Sequence, residues 1–414
     1  MRQDDTPEEA AFRAEARAWL EANARRRDVE RDASRVPRDH GPEGEAAFFE
    51  RCRAWQRTLF DGGWAGITWP ARFGGRGGTA AQGVIFAEEI AAFDVTSGFL
   101  ASTIDLVGPA LLRHGNDAQR ERYLRPLLRG DEVWCQLFSE PEAGSDLAAL
   151  RTRAERRGDE FVVNGQKLWT TSAQHCDFGI LLARTNPDVP KHRGISFLLV
   201  DMRTPGIEVR PLVTLTGSRH FNEVFLTDVR VPAENVVGRI DEGWTVARTT
   251  LANESVMIGT SAQGPDARSL ARRARETGRW QDPLVRQRVA AVYVEERLLG
   301  FLADRVRAAV LVGRVPDVDG SLLKVFWAES RARKHHTGLW LEGPEGLLAG
   351  ADSPQHGFWS TAVLDRGMGT IGGGTVEVHR NGMAERVLGL PRDPRADLNM
   401  PFRDLRTTGA GSGG

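Results

Sequence analysis

The hydrophobic period of this chain changes twice, and those two changes limit its fold more than any other feature. From about residue 7 to about residue 130, apolar side chains recur at intervals of three and four, the spacing of helices with one buried face. Between about 131 and 238 they come as short runs, 180–183, 195–200 (broken only by Ser196), 207–212 and 224–231, divided by Pro, Asp and Gly. Helical spacing returns near Glu242 and continues to about Leu388. Helices, then a block of strands, then helices is the order of an α+β protein; an α/β chain alternates strand and helix throughout. The expected division is an N-terminal α-helical domain over 1–130, a middle β domain over 131–238, a C-terminal α-helical domain over 239–405, and a disordered Gly/Ser-rich tail over 406–414.

Local signals add detail. Thr6-Pro7-Glu8-Glu9 places a threonine cap, a proline at the first helical position and a glutamate at the third, a capping box. Phe12, Ala16, Trp19 and Leu20 follow at helical spacing, and Phe48, Cys52, Trp55 and Leu59 mark a second helix over about 44–61. A glycine-rich loop spans 62–78, with more helix over about 80–93 and on through residue 128. In the strand block, Phe161-Val162-Val163, Asn164-Gly165 and Gln166-Lys167-Leu168-Trp169 read as a β-hairpin, because Asn-Gly suits a type I′ turn.

Bulk properties exclude several functions. Formal charge is −1, so no basic field recruits nucleic acid or an anionic membrane. Lysine supplies only Lys167, Lys191, Lys324 and Lys334 of the 55 basic residues; the arginine excess is spread along the chain and reads as the signature of a GC-rich bacterial genome. Cys52, Cys135 and Cys176 are far apart and show no metal-ligand spacing, so no metal is expected and a reducing cytoplasm is. No apolar run approaches the ~20 residues of a membrane span, and the first residues carry no apolar signal region.

One carboxylate stands out. Trp244, Ala247, Leu251 and Ile258 form an apolar helical stripe, and the position completing it is Glu254. Residues 250, 251, 257 and 258 are Thr, Leu, Met and Ile, so no basic partner lies at helical spacing. Such a carboxyl has its pKa raised and suits general-base work near neutrality. The spacing equally allows Glu254 to pair with an arginine from another element or to face solvent.

Three segments carry a resemblance. The first is Trp134-Cys135-Gln136-Leu137-Phe138-Ser139-Glu140-Pro141-Glu142-Ala143-Gly144-Ser145-Asp146, and the second is Asn164-Gly165-Gln166-Lys167-Leu168-Trp169-Thr170-Thr171-Ser172. The third is Ile371-Gly372-Gly373-Gly374-Thr375-Val376-Glu377-Val378-His379-Arg380-Asn381, running on to Leu390-Pro391-Arg392. In this order and spacing the chain resembles the acyl-CoA dehydrogenase family, of the actinobacterial type, over nearly its whole length. The resemblance implies that fold, with an N-terminal helical domain, a middle β-barrel or sandwich and a C-terminal four-helix bundle. It also implies a cytoplasmic FAD enzyme of lipid β-oxidation that desaturates an acyl-CoA to the trans-2-enoyl-CoA.

Most members of that family carry the catalytic base directly before the Gly-Thr of the third motif. Here that position is Gly373, which cannot take a proton. A class including isovaleryl- and long-chain-type members carries the base on the helix where Glu254 lies, so the resemblance makes Glu254 the base. It places Gln136, Leu137, Phe138, Ser139, Gly144 and Ser145 in the flavin loop, and Trp169, Thr170 and Thr171 at the isoalloxazine. Thr375 and Glu377 fall at the FAD diphosphate and ribose. Ser145, Asn253, Ser255 and Gly374 fall at the thioester, with the Gly374 amide as a donor to its carbonyl. Unaided, Trp169 reads as a core aromatic and 372–374 as a flexible loop, although the residues that follow favour a helix start. Two departures stand in these motifs: Glu142 for the usual glycine, and Ser255 for the usual arginine.

Family homotetramers carry Arg-x-x-Phe-Gly and Gln-x-x-Gly-Gly-x-Gly stretches that reach a neighbour's FAD. The corresponding segments here, 275–281 and 341–347, match neither. The pattern resembles members that form α2β2 heterotetramers with a paralogue, and a homo- or hetero-oligomer, dimer or tetramer, is expected. The resemblance implies an electron-transfer flavoprotein as acceptor. Two other readings remain: a non-catalytic structural subunit of such a complex, and a flavin monooxygenase or oxidase on the same fold. Retention of Glu254 argues against both.

Overall fold

The computed structural model describes residues 5–27, 41–260, 264–311, 317–348, 353–392, 394, 397 and 399–405; the tail expected to be disordered lies outside them. In chain order the first helices are α1 (Pro7–Asn23), α2 (Gly41–Asp61), α3 (Ala80–Ile90), α4 (Phe99–His114) and α5 (Asp117–Arg129). The strands are β1 (Trp134–Leu137), β2 (Arg153–Arg157), β3 (Glu160–Thr171), β4 (Phe178–Arg184), β5 (Ile195–Asp201), β6 (Ile207–Leu212) and β7 (Phe221–Pro232). Then come α6 (Gly243–Thr260), α7 (Ala267–Glu276), α8 (Pro283–Leu311), α9 (Asp317–Glu342), α10 (Phe358–Leu364), α11 (Arg366–Ile371) and α12 (Val376–Arg386). This is the helical, curled-sheet, helical order of the α+β reading. Two compact units emerge: residues 1–98 with 254–390, and residues 99–253 with 391–414.

In the first unit, α1 starts at the capping box: Thr6 accepts from the Glu9 amide, and the Glu9 carboxylate accepts from the Thr6 amide. The same reciprocal device starts α3 at Thr79 and Gln82. Trp64 is buried against Phe12, Trp19 and Phe86, stacking on Phe86 at 5.0 Å. The later helices bury two apolar clusters, Leu270, Val285, Val289, Leu341 and Trp359 in one, and Val306, Leu323, Trp327 and Val376 in the other.

In the second unit the sheet order is β1-β4-β2-β3-β7-β6, with β5 on β4. Phe161, Val163, Leu181, Leu198, Val224 and Val231 share one core cluster, so strands from distant places in the order enclose a common interior.

The hairpin expected at Asn164-Gly165 is not formed. β3 runs unbroken from Glu160 to Thr171, and Asn164-Gly165 forms a bulge against β7. Asn164 trades two hydrogen bonds with Asp228, accepting from its amide at 2.9 Å and donating to its carboxylate at 3.0 Å. Glycine follows because a Cβ there would lie 2.4 Å from the Thr152 hydroxyl and 2.7 Å from its Cα. The turn signal was real, but the asparagine spends it across the sheet. The actual hairpin joins β2 to β3 through Gly158-Asp159, with Gly158 left-handed at φ 66°.

Candidate active site

The second unit holds the residues expected in the flavin loop. Gln136 and Leu137 end β1, which pairs parallel with β4. Leu137 and Phe138 are buried in the sheet's interior, so only their backbones can face a ligand. Ser139 is half-buried, and its carbonyl accepts from the Leu168 amide at 2.9 Å. Glu140 and Ala143 bridge each other around Pro141-Glu142. Glu142 is exposed and is not among the left-handed residues, so the departure from glycine costs no backbone strain. Gly144 and Ser145 are exposed, and nothing lies within 4 Å of where a Gly144 Cβ would be.

This loop is fastened by a pair that sequence spacing did not reveal. Lys167, fully buried on β3, donates to Glu140 at 2.8 Å and to the Phe138 carbonyl at 2.9 Å. Glu140 also accepts from the amides of Arg151 and Thr152, at 2.6 and 2.9 Å. Burial pushes the Glu140 carboxyl up, but Lys167 and these donors outweigh it and hold the carboxyl below its usual range. Burial draws Lys167 down against the opposing pull of Glu140.

Beyond Lys167 the β3–β7 register shifts before Thr170. Trp169 takes φ 61°, a left-handed conformation unusual for a bulky residue; the residue is 56% exposed, with its ring edge-on to Phe221 at 5.6 Å. It is therefore not the core aromatic that period alone suggests. The Thr170 hydroxyl is buried without a hydrogen-bond partner, and Thr171 is half-buried beside it. A strained, exposed tryptophan and an orphaned hydroxyl both cost stability, and both persist where a ligand completes the surface. With the open approach at Gly144, they fit a flavin ring.

The first unit holds the other candidates. Glu254 is half-buried and continues the inward stripe of α6 through Ala247 and Thr250. The side chains of Ser255 and Ile258 lie outside the described residues. Asn253, which belongs to the second unit, donates its side-chain amide to the Thr249 carbonyl of its own helix at 2.8 Å.

Residues 372–374 form an ordered turn between α11 and α12. Gly373 and Gly374 are left-handed, at φ 66° and 87°. His379 Nε2 bonds the Gly373 carbonyl at 2.9 Å while Nδ1 meets the Ser321 hydroxyl at 3.1 Å, so Nε2 carries the proton. Thr375 caps α12, accepting from the Val378 amide at 3.2 Å; Glu377, exposed, stands in the first turn.

Lys324 on α9 connects these pieces. It is fully buried and donates to the carbonyls of Gly369 at 2.8 Å and Gly374 at 3.2 Å. Burial draws its pKa down to about 8, against the opposing charges of Glu254 and Glu377. A usable sequence signal existed: all four lysines are buried. In a chain that favours arginine, lysine survives where a planar guanidinium would not fit a compact pocket.

The two segments lacking the trans-acting motifs are turned onto their own chain. Arg275 lies over Trp280, while Arg279 lies over Trp340 and donates to the Trp340 carbonyl at 2.7 Å. Residues 343–347 form a short 3-10 turn. Among the described residues no group of His, Cys, Asp and Glu could hold a metal ion, and no helix is long and apolar enough to cross a membrane.

Comparison with known proteins places this geometry. Residues 6–131, 135–229 and 241–388 match the N-terminal, middle and C-terminal domains of acyl-CoA dehydrogenase. Acyl-CoA dehydrogenase IpdE1 of Mycobacterium tuberculosis is 36% identical over 93% of this chain and 98% of its own. The solved Tcur3481–Tcur3483 steroid ACAD superposes with a TM-score of 0.79 at 29% identity, covering 95% of this chain and all of that one. The ChsE4–ChsE5 complex of M. tuberculosis gives 0.74 at 30% identity, again over 95% and all of the respective chains. The chain belongs to the acyl-CoA dehydrogenase family of flavoprotein oxidoreductases.

Proposed function

We propose that this chain is a catalytic subunit of an FAD-dependent dehydrogenase that desaturates an acyl-CoA at its α and β carbons, with Glu254 as the base. The supporting observation is a half-buried carboxylate on the inward stripe of α6 that feels the charge of Lys324. Bound flavin supplies the acceptor for the hydride that leaves the β-carbon. Glu254 takes the α-proton onto a carboxylate oxygen, and the electrons of the broken Cα–H bond become the new double bond. The Gly374 amide donates to the thioester carbonyl, which acidifies that proton. Lys324 acts through others: it holds the Gly374 carbonyl, and below about pH 8 its charge favours ionised Glu254. Trp169, Thr170 and Thr171 present the flavin surface, with Gln136, Ser139, Gly144 and Ser145 at its edge; Thr375 and Glu377 serve the FAD diphosphate and ribose.

The self-satisfied arginines 275 and 279 favour an α2β2 assembly in which a paralogue supplies the missing FAD contacts. Two similar solved structures are named as pairs of different chains, and one is called a steroid ACAD. A bulky, ring-bearing acyl group, an electron-transfer flavoprotein as acceptor and a cytoplasmic setting complete the proposal.

The test is absorbance of the chain purified alone and with a co-expressed paralogue, followed by anaerobic addition of acyl-CoAs. The lone chain should be poorly flavinated, and the complex yellow and bleached by a ring-bearing thioester. Full flavin in the lone chain would end the heterotetramer proposal. A flavinated complex inert to every thioester would end the dehydrogenase proposal.

A further inference from the structure

Ser321 and Lys324 stand three residues apart on α9, so they share one face of that helix, and both are buried. That face grips two successive carbonyls of the turn at Gly373-Gly374. Lys324 holds the Gly374 carbonyl directly, at 3.2 Å. Ser321 reaches the Gly373 carbonyl through His379: its hydroxyl meets Nδ1 at 3.1 Å, and Nε2 donates to the carbonyl at 2.9 Å. Burial draws the His379 pKa down, so the ring is neutral and has one proton to place. The serine hydroxyl donates to Nδ1 and leaves that proton on Nε2.

The two carbonyls belong to different peptide units. The Gly374 carbonyl shares its unit with the Thr375 N–H, whereas the Gly373 carbonyl shares its unit with the Gly374 N–H. The peptide between the two glycines is trans, and a trans unit is planar with C=O and N–H pointing opposite ways. Drawing the Gly373 carbonyl onto His379 therefore turns the Gly374 N–H away from the ring. Gly374 is exposed, and nothing among the described residues accepts from its amide. A Cβ on Gly374 would lie 3.0 Å from His379 Nε2, so the ring packs directly against the turn it holds.

Resting on the dehydrogenase reading, we propose that His379 is a positioning residue for removal of the α-proton. Through the Gly373 carbonyl it sets the direction of the Gly374 N–H that the thioester carbonyl accepts, and Ser321 sets the tautomer of His379. Lys324 cannot take this part, because it holds the next peptide unit. A donor aimed in advance needs no reorganisation as negative charge builds on the thioester oxygen. Released from His379, the unit between two glycines is free to rotate. The donor bond strengthens as that charge develops, so the loss falls on kcat rather than on KM.

The test uses the flavinated complex and a ring-bearing acyl-CoA labelled with 13C at the thioester carbonyl. His379→Leu should lower kcat by about 10- to 100-fold with KM little changed and flavin retained. His379→Gln, whose side-chain amide is a donor of similar reach, should restore most of that loss. Ser321→Ala, which keeps the ring and frees its tautomer, should cost about 2- to 10-fold in kcat. The infrared band of the bound carbonyl supplies a readout apart from turnover. In Glu254→Gln, where the thioester binds without reacting, adding His379→Leu should move that band to higher wavenumber. An unmoved band, equal losses in the Leu and Gln variants, wild-type kcat in Ser321→Ala, or a fall in kcat matched by loss of flavin would overturn this assignment alone. No turnover of any thioester by wild type would overturn the dehydrogenase reading and this one with it.

Discussion

Lys167 and Lys324 are equally buried, yet they hold different things. Lys167 in the second unit meets a carboxylate, Glu140, which two backbone amides also satisfy. Lys324 in the first unit meets only carbonyls at bonding distance among its described contacts, and the carboxylates it feels, Glu254 and Glu377, act as charges. The first arrangement is closed: every charge is spent in fastening β1's exit loop to β3. The second leaves charge over, beside the residue proposed as the base. A buried cation that is fully paired serves the fold, whereas one that is underpaired is available for chemistry.

This contrast breaks first at Lys167. Lys167→Met should strand Glu140 in the interior and cost about 3–5 kcal/mol in chemical denaturation. Adding Glu140→Gln should recover much of that loss, since the amide is easier to bury than the unpaired charge. If the single variant unfolds at the wild-type midpoint, the pair is not a staple.

Lys324→Met should show the reverse balance, with kcat down by about 10- to 100-fold and KM little changed. Its stability signature is a pH slope. The folded pKa lies below the ordinary lysine value, so the unfolded chain binds more protons between about pH 8 and 10.5. Wild-type stability should therefore rise relative to the variant across that window, by about 3 kcal/mol at most. A flat difference from pH 7 to 10 would contradict the burial argument.

The smallest effect belongs to Trp169. Replacing it with asparagine, which tolerates the left-handed backbone, should stabilise the flavin-free protein by about 1 kcal/mol while weakening flavin binding. Stabilisation without loss of flavin would make the strain incidental.

Much of the fold was readable because hydrophobic period reports it directly. The capping box at Thr6 and the strand run 207–212 stand as expected. Asn164-Gly165 misled because turn propensity is local and the competing bond to Asp228 is not. The proposed site rests on motifs that the sequence displays, and its supports are not visible there. Glu254 showed itself through helical period, whereas Lys324 and His379 lie far along the chain and act through backbone carbonyls that no spacing rule describes. The scarcity of lysine is the available clue, since all four lysines are buried.

The central claim is that Glu254 removes the α-proton, and isotope exchange tests it apart from hydride transfer. The flavinated complex would be mixed anaerobically with its thioester in D2O, and deuterium at the α-carbon followed by mass spectrometry in wild type and Glu254→Gln. The account predicts exchange in wild type and a loss of at least about 100-fold in the variant, with thioester affinity preserved. Exchange at the wild-type rate in Glu254→Gln would contradict it and assign the proton to another group.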